Sequence, residues 1–289
     1  MPEGDTIHLL ARRMHAALAG RLLTASDFRV PRLATVDLSG RTVREALSRG
    51  KHLLLRVEGG LTVHSHLRMD GAWSVQPAGE RPRGGPAWQI RAVLATDAYV
   101  AYGYRLPVLE LLPTDREEEA VGHLGPDLLG PDWDVAEAVR RLSREPGRPL
   151  GEALLDQRNL AGIGNVYKSE LCYLAGVTPW SPVGALAARD GLPRLAELAH
   201  RLLYANRARH GHVTTGDARP DRRHWVYGRA GRPCRRCGTA VRTAEQGPAP
   251  EARVTFWCPR CQRGPGPEGP GPEGREPGGP GATGDGRRG

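Results

Sequence analysis

Two cysteine pairs near the C-terminus, Cys234-x2-Cys237 and Cys258-x2-Cys261, are separated by 20 residues. Each pair can present two thiolates from one tight knuckle. Two such knuckles on facing strands complete a tetrahedral zinc site with no open position. A redox role would need only one pair. A closed four-thiolate site does no chemistry; it stiffens a small hairpin, which then presents something else. Positive charge is the candidate cargo. Arg219, Arg222, Arg223, Arg229, Arg232, Arg235 and Arg236 lead into the unit, and Arg253 and Arg260 follow on its second arm. Guanidinium forks match phosphate oxygens; the plainer alternative is a solvated arginine-rich face.

The chain begins Met1-Pro2-Glu3-Gly4-Asp5. Initiator Met is usually removed before a small residue, and Pro2 would then carry a free secondary amine. An α-amino group has a pKa of about 7.7–8.0, so a useful fraction is unprotonated at neutral pH. Such an amine is a workable nucleophile toward a carbonyl-level carbon, and Glu3 beside it can serve as acid or base. Many proteins start Met-Pro-Glu without catalytic meaning, so these residues need company. Further on, Gly162-Ile163-Gly164-Asn165 precedes a helical run. The glycines permit tight turns, Asn165 sits where an N-cap belongs, and the free amides of a helix start favour an anion. An ordinary helix–helix turn would look the same.

The elements that must position these groups fall in two regions. Residues 5 to 19 read as a helix, with Ile7, Leu10, Ala11, Met14 and Leu18 on one face, Asp5 as N-cap and Gly20 as stop. From about 21 to 112 short strand-like runs follow, including Leu53–Val57, Leu61–Val63, Ile90–Leu94 and Tyr99–Tyr102. Glu58-Gly59-Gly60 and Asp97-Ala98 punctuate them, which predicts an antiparallel sandwich or barrel. Residues 79 to 86 read as a flexible loop. Helical patterns resume at about 134–143, 149–157, 165–176 and 191–205. The expected organisation is an N-terminal domain over 1–124, a linker over 125–134, a helical domain over 135–222, a cysteine hairpin over 223–263 and a tail over 264–289. The tail is nearly all Gly, Pro, Glu and Arg, lacks apolar residues for a core and is expected to be disordered.

The 289 residues carry 41 Lys and Arg against 32 Asp and Glu, a formal charge of +9 that favours polyanions. The N-terminus has neither the positive nor the apolar segment of a signal peptide, and no run approaches the ~20 apolar residues of a membrane helix. A cytoplasmic protein follows, associated with the nucleoid if DNA is the polyanion. In a reducing compartment paired cysteines are metal ligands rather than disulfides.

These motifs occur together and in one order. Met1-Pro2-Glu3-Gly4-Asp5, Arg49-Gly50-Lys51-His52-Leu53, His64-Ser65-His66-Leu67-Arg68-Met69-Asp70-Gly71, Leu154 to Tyr167, and Val226 to Gly238 with Thr255 to Gln262 resemble the formamidopyrimidine-DNA glycosylase / endonuclease VIII family. The likeness spans residue 1 to about 262 and is nearer the endonuclease VIII branch. It implies an α+β fold: an N-terminal two-layer antiparallel β-sandwich with flanking helices, then a helical helix-two-turn-helix domain ending in a zinc-finger β-hairpin. DNA would lie in the cleft between them.

The resemblance also implies a bifunctional DNA glycosylase and AP lyase of base excision repair. Pro2 would attack C1′ of an everted nucleotide, Glu3 would protonate the sugar ring oxygen, and β,δ-elimination would cut the strand. Lys51 matches a lysine at the active-site backbone, and His66 a phosphate-contacting histidine. Met69 matches a wedge that fills the void of the everted base, with Arg68 and Leu67 beside it. Asn165 and Arg253 match a pair that grips phosphates, and Cys234, Cys237, Cys258 and Cys261 match the ligands of one structural Zn2+ per chain. The implied partner is damaged double-stranded or bubble DNA, bound by a monomer without a membrane or small-molecule cofactor. One departure stands out: Thr6 replaces the family's common glutamate, which bears on lesion choice. Gly4 and His64-Ser65-His66 lean toward oxidised pyrimidines; oxidised purines (formamidopyrimidine, 8-oxoguanine) are the alternative. Two non-catalytic alternatives are a zinc-finger damaged-DNA-binding module, which would not need Pro2, Glu3 and Lys51 together, and a zinc-ribbon RNA-binding factor, which leaves the N-terminus unexplained.

Overall fold

A computed structural model describes residues 2–268. Helix α1 (Gly4–Leu18) is followed by eight strands: β1 (Ala25–Phe28), β2 (Val43–Arg49), β3 (His52–Val57), β4 (Leu61–His66), β5 (Ala72–Pro77), β6 (Ile90–Ala95), β7 (Tyr99–Tyr104) and β8 (Val108–Pro113). They form two antiparallel sheets, β2-β3-β4-β8 and β1-β6-β7-β5. Both glycines of Glu58-Gly59-Gly60 have positive φ, which lets β3 turn tightly into β4. Alternation along the strands decides what each face does. Leu53, Leu55 and Val57 of β3 join Ala92 and Leu94 of β6 and Ile7, Ala11, Met14 and Leu18 of α1 in the sandwich core. Leu54, on the opposite face of β3, packs instead with Val121, Leu124 and Ala161, so the back of this sheet carries the contact to the second half of the chain.

That half contains α2 (Glu118–Val121), α3 (Val135–Leu142), α4 (Leu150–Leu155), α5 (Asn165–Leu174), α6 (Val183–Ala187) and α7 (Gly191–Asn206). Leu142, Leu150, Leu154, Ile163, Tyr167, Leu171, Leu195 and Leu203 form its core. The short helices α2 and α6 lie where no helix was expected; one turn each is too short to show a period. The segment 125–134 is closely packed: Leu128 is in the helical core, and the Asp127 carboxylate accepts the Gly50 amide at 2.8 Å. The chain then forms an antiparallel hairpin, β9 (Arg242–Gln246) and β10 (Arg253–Trp257). Trp257 stands edge-on to Trp180 and Gln246 donates to the Pro179 carbonyl, fixing the hairpin to the helical half.

Four expectations are corrected. The N-cap of α1 is Glu3, not Asp5, and the Glu3 side chain makes no cap bond to this helix; Asp5 stands inside the first turn, where its Oδ1 accepts the Thr6 amide at 2.8 Å and its Oδ2 serves a longer-range cluster described below. Asn165 is the first residue of α5, behind Gly164 at the cap position. The cysteine knuckles flank the hairpin rather than sit on its strands: one pair precedes β9 and the other follows β10. The tail does not begin unattached at 264, because Thr178 donates to the Pro265 carbonyl at 2.6 Å. Residues 269–289, the rest of the expected disordered tail, lie outside the described residues.

Candidate active site and nucleic-acid cleft

Pro2 lies in the wall between two cavities. One, about 800 Å³, is a cleft whose lining includes Lys51, His66, Arg68, Met69, Asn165 and Arg253. Its far side includes Gly247 and Pro248 from the β9–β10 turn. The other, about 750 Å³, runs between α1 and β5. His66, Arg68, Met69, Asn165 and Arg253, the residues that the resemblance assigns to DNA contact, therefore line one cleft between the sandwich and the helical half; of the arginines around the cysteine unit, Arg253 alone is among its lining residues.

Glu3 is fully buried and reaches across that junction. Its carboxylate accepts the Gly164 and Val166 amides at 2.7 Å each, and the Tyr167 amide at 3.4 Å. The open amides at the start of α5 thus receive a carboxylate from the other half of the chain, the anion that a helix N-terminus favours. Burial nevertheless dominates and pushes the Glu3 carboxyl above its usual range. His212, Lys51 and the Val166 amide pull it down, and Asp5 adds to the rise. Gly4 donates to the Gly162 carbonyl at 2.9 Å. A Cβ on Gly4 would sit 2.9 Å from the Gly162 Cα, so the two backbones can meet only with no side chain at position 4.

Lys51 stands in the β2–β3 turn, where Gly50 has φ +55. Its Nζ donates to the Ile163 carbonyl, in the same Gly-Ile-Gly turn that receives Glu3. Burial lowers its pKa to about 8; the Glu3 carboxylate opposes that shift and Arg253 adds to it. Gln157 organises the turn, donating to the Leu155 and Ile163 carbonyls while accepting the Gly162 amide.

His66 ends β4 at the cleft. Its Nδ1 accepts the Arg68 amide at 3.1 Å, which puts the ring proton on Nε2. Burial first, then Lys51 and Arg68, lower its pKa to about 4, so the ring is neutral at pH 7. Arg68 has φ +46 and turns the chain sharply. Met69 follows, 56% exposed, at the tip of the loop. Leu67 belongs to the sandwich core and is not available beside Met69 as a wedge. Asn165 donates from Nδ2 to the Val254 carbonyl at 2.8 Å, tying α5 to β10; its buried Oδ1 has no partner among the described residues. Arg253, at the start of β10, lines the same cleft.

Three residues that the sequence did not single out, Tyr167, Glu170 and His212, shape the site. Asp5 accepts from the Tyr167 hydroxyl at 2.6 Å and from His212 Nδ1 at 2.9 Å, joining α1, α5 and the segment after α7. Glu170, fully buried on α5, accepts the Trp225, Val226 and Tyr227 amides at 2.8 Å each and the Thr214 hydroxyl. Tyr167 and Glu170 were legible only as members of a helix, and nothing in the local sequence marks His212. Arg229 is a correction in the other direction. It is buried, with its guanidinium on the Trp225 and Pro233 carbonyls, so it holds the loop together instead of facing a phosphate.

The sulfur atoms of Cys234, Cys237, Cys258 and Cys261 all lie within 4.8 Å of one another. Two of the separations are 3.8 Å (Cys234 to Cys261) and 3.5 Å (Cys237 to Cys258). A tetrahedron with metal–sulfur bonds of about 2.3 Å has edges of about 3.8 Å, so this donor set fits a closed metal site. Cys172 is buried on α5 away from this cluster. No helix of the described residues is long and apolar enough to cross a membrane.

Comparison with known proteins gives concordant matches. Residues 1–103 match the formamidopyrimidine-DNA glycosylase N-terminal domain, and residues 124–206 match the formamidopyrimidine-DNA glycosylase H2TH domain. The chain is 65% identical over 267 residues to a probable endonuclease 8 2 of Streptomyces coelicolor, covering 92% of this chain and 96% of that protein. It is 51% identical to a DNA-(apurinic or apyrimidinic site) lyase Nei2 of Mycolicibacterium smegmatis, covering 91% and 99%. A solved structure of Lactococcus lactis Fpg in complex with abasic-site DNA superposes with a TM-score of 0.76 at 22% identity, over 91% of this chain and all of that one. That likeness bears out the expected α+β architecture.

Proposed function

From the premise that this chain belongs to the formamidopyrimidine-DNA glycosylase / endonuclease VIII family, on its endonuclease 8 side, we infer that it is a bifunctional DNA glycosylase and AP lyase of base excision repair. The observation that carries this reading is the position of Pro2. It lies in the wall between a basic cleft and a second cavity, next in sequence to a buried carboxyl held above its usual range. A nucleotide turned out of a duplex lying in the cleft would bring C1′ to that wall, as any enzyme acting on a stacked base requires.

Freed of Met1, the neutral Pro2 amine attacks C1′ while Glu3 donates its proton to the sugar ring oxygen. The C1′–N bond to the base breaks and the base leaves with the proton given up by the Pro2 amine; the C1′–O4′ bond breaks as the sugar ring opens, leaving O4′ as a hydroxyl that carries the proton from Glu3. The resulting iminium makes the C2′ proton acidic. Its removal expels the 3′ phosphate, and a second elimination expels the 5′ phosphate. Lys51, cationic below about pH 8, places positive charge beside this centre. His66 donates its Nε2 proton to a phosphate without carrying charge. Asn165 and Arg253 hold the backbone from α5 and β10, Arg68 adds charge at the loop, and Met69 fills the vacated stack. Cys234, Cys237, Cys258 and Cys261 would hold one structural Zn2+, which would cross-link the base of the hairpin; the hairpin's own residues do the gripping. Oxidised pyrimidines in duplex or bubble DNA are the substrates, matching the endonuclease 8 names of the relatives.

Borohydride trapping tests this directly. Met-processed protein mixed with DNA carrying one thymine glycol should give a covalent protein–DNA band that Pro2→Gly abolishes while retaining DNA affinity. Tight binding with no band would move the reading to 8-oxoguanine and abasic DNA, and, if those also failed, to a non-catalytic binding module.

A further inference from the structure

The two most exposed large apolar side chains among the described residues are Trp88, at 73%, and Met69, at 56%. One arginine joins the turns that carry them. Arg105, between β7 and β8, donates from Nε to the Asp70 carbonyl at 3.0 Å, and its Nη1 donates to the Gln89 side-chain oxygen. Its backbone amide donates to the Gln89 carbonyl at 2.9 Å. Asp70 follows Met69 and Gln89 follows Trp88, so the loop of Met69 and the turn of Trp88 are bonded to one residue. The Trp88 turn is itself held on both sides. Gln89 donates its amide to the Pro86 carbonyl at 3.0 Å, and the Arg91 guanidinium donates to the Trp88 carbonyl at 2.9 Å. The segment 79–86, expected from the sequence as a flexible loop, is fastened to β5: buried Gln76 donates to the Glu80 and Arg81 carbonyls and accepts the Arg83 amide. A Cβ on Gly84 would stand 2.8 Å from the Tyr104 ring, so the chain lies directly on that ring. The backbone beneath Trp88 is thus tied down while its indole stands in solvent. Residues 80–91 carry Arg81, Arg83 and Arg91 against one acid, Glu80, and Arg105 adds a further positive charge.

We propose that Trp88 is a stacking platform for an unpaired base beside the Met69 wedge, a residue that adds affinity for DNA opened around a lesion and none for DNA that is fully paired. The inference rests on the glycosylase reading above, because it needs Met69 to enter the stack next to an everted nucleotide. The occupant follows from the chemistry of the surface. An indole face stacks on any base, and the arginines beside it attract the phosphates that accompany that base. Within a paired duplex both faces of a base are covered by its neighbours. Only a base released from the stack can turn a face to Trp88, and the Met69 loop is where the stack is broken. A side chain on a backbone already tied down loses little freedom when it binds.

The test reads affinity without chemistry. Full-length, Met-processed protein is titrated by anisotropy with DNA carrying one tetrahydrofuran abasic analogue, either fully paired or inside a short bubble of mismatched bases. Trp88→Ala should weaken bubble binding about tenfold or more, the range of one base–aromatic stack, and leave paired binding within about twofold of wild type. Trp88→Phe keeps a ring and should retain most of the bubble affinity. Trp88→Leu, apolar but without a π face, should behave as Trp88→Ala. Equal loss on the two DNA forms overturns the inference, as does full bubble affinity in Trp88→Leu. So does no loss on either form, the result expected if the indole serves a protein partner instead. Excision of thymine glycol from paired DNA should stay at the wild-type rate in every variant; a slowed rate would place Trp88 in the catalytic site and also overturn the inference. Wild-type protein that binds neither form better than undamaged DNA, and gives no borohydride band, would instead overturn the glycosylase reading.

Discussion

The Glu3 carboxylate and the Gly164 amide, 161 residues apart in sequence, are joined by a 2.7 Å hydrogen bond at the start of α5. The contact exists because position 164 has no side chain. A Cβ there would lie 2.5 Å from the Glu3 carboxyl carbon. Gly164 has φ −121, which any residue adopts, so its requirement is steric rather than conformational. Gly164→Ala should therefore displace the carboxyl and lower base excision by about a hundredfold or more, the range attributed to a positioned general acid. Single-turnover excision of thymine glycol, with calorimetry to confirm the fold, checks this. Unchanged excision would remove Glu3 from the acid role.

Lys51 should give the protein a pH-dependent grip. Its ammonium, with a pKa lowered to about 8, is charged below that pH and neutral above it, whereas an ordinary lysine stays charged to about 10.5. DNA affinity should thus fall between pH 7 and 9. The slope of log affinity against log salt should shrink by about one as a phosphate contact loses its counterion release. Lys51→Arg, charged throughout, should abolish that difference. Equal slopes at the two pH values in the wild type would show that Lys51 makes no charged phosphate contact.

Glu170 should matter for stability out of proportion to its distance from the cleft. It satisfies three consecutive backbone amides and a hydroxyl that would otherwise be left in the interior. Glu170→Ala strands them at a cost of at least about 3 kcal/mol, given about 1–3 kcal/mol for each buried unsatisfied group and their shared relaxation. Glu170→Gln keeps one acceptor oxygen and should cost less. Denaturant midpoints of the two variants provide the comparison.

Cys258→Ser or chelation should release the hairpin while the sandwich stays folded. Each strand has five residues, and an isolated two-stranded hairpin is marginal in water. Loss of the cluster would free Arg253 and the Val254 carbonyl that anchors Asn165. DNA affinity should be lost together with bound zinc, read by anisotropy and metal analysis. Unchanged lesion affinity in Cys258→Ser would show that the hairpin does not carry the grip.

Much of this protein was legible in its residues because the relevant signals are local. The strand-like run Leu53–Val57, the Glu58-Gly59-Gly60 turn and the Cys-x2-Cys spacing within each pair act over a few residues: the run is a strand, the glycines turn it, and the four cysteines converge. The cap assignments failed for an equally physical reason. Asp5 and Asn165 have the right type for local caps but lie one or two residues inside their helices: Asp5 takes only the adjacent Thr6 amide on Oδ1 and gives Oδ2 to Tyr167 and His212, and Asn165 donates to the Val254 carbonyl. The start of α5 is closed by Glu3, whose partners are backbone amides. Every residue except proline offers such an amide, so no residue type in the sequence marks which ones a distant carboxylate will find. The chain alone thus determined which chemical groups exist and how each short element turns. Only the packing of Leu54 against Ala161 and of Gly4 against Gly162 decided that Pro2, Glu3 and Lys51 meet at one turn, because close approach of two halves is a property of surfaces assembled from residues far apart in sequence.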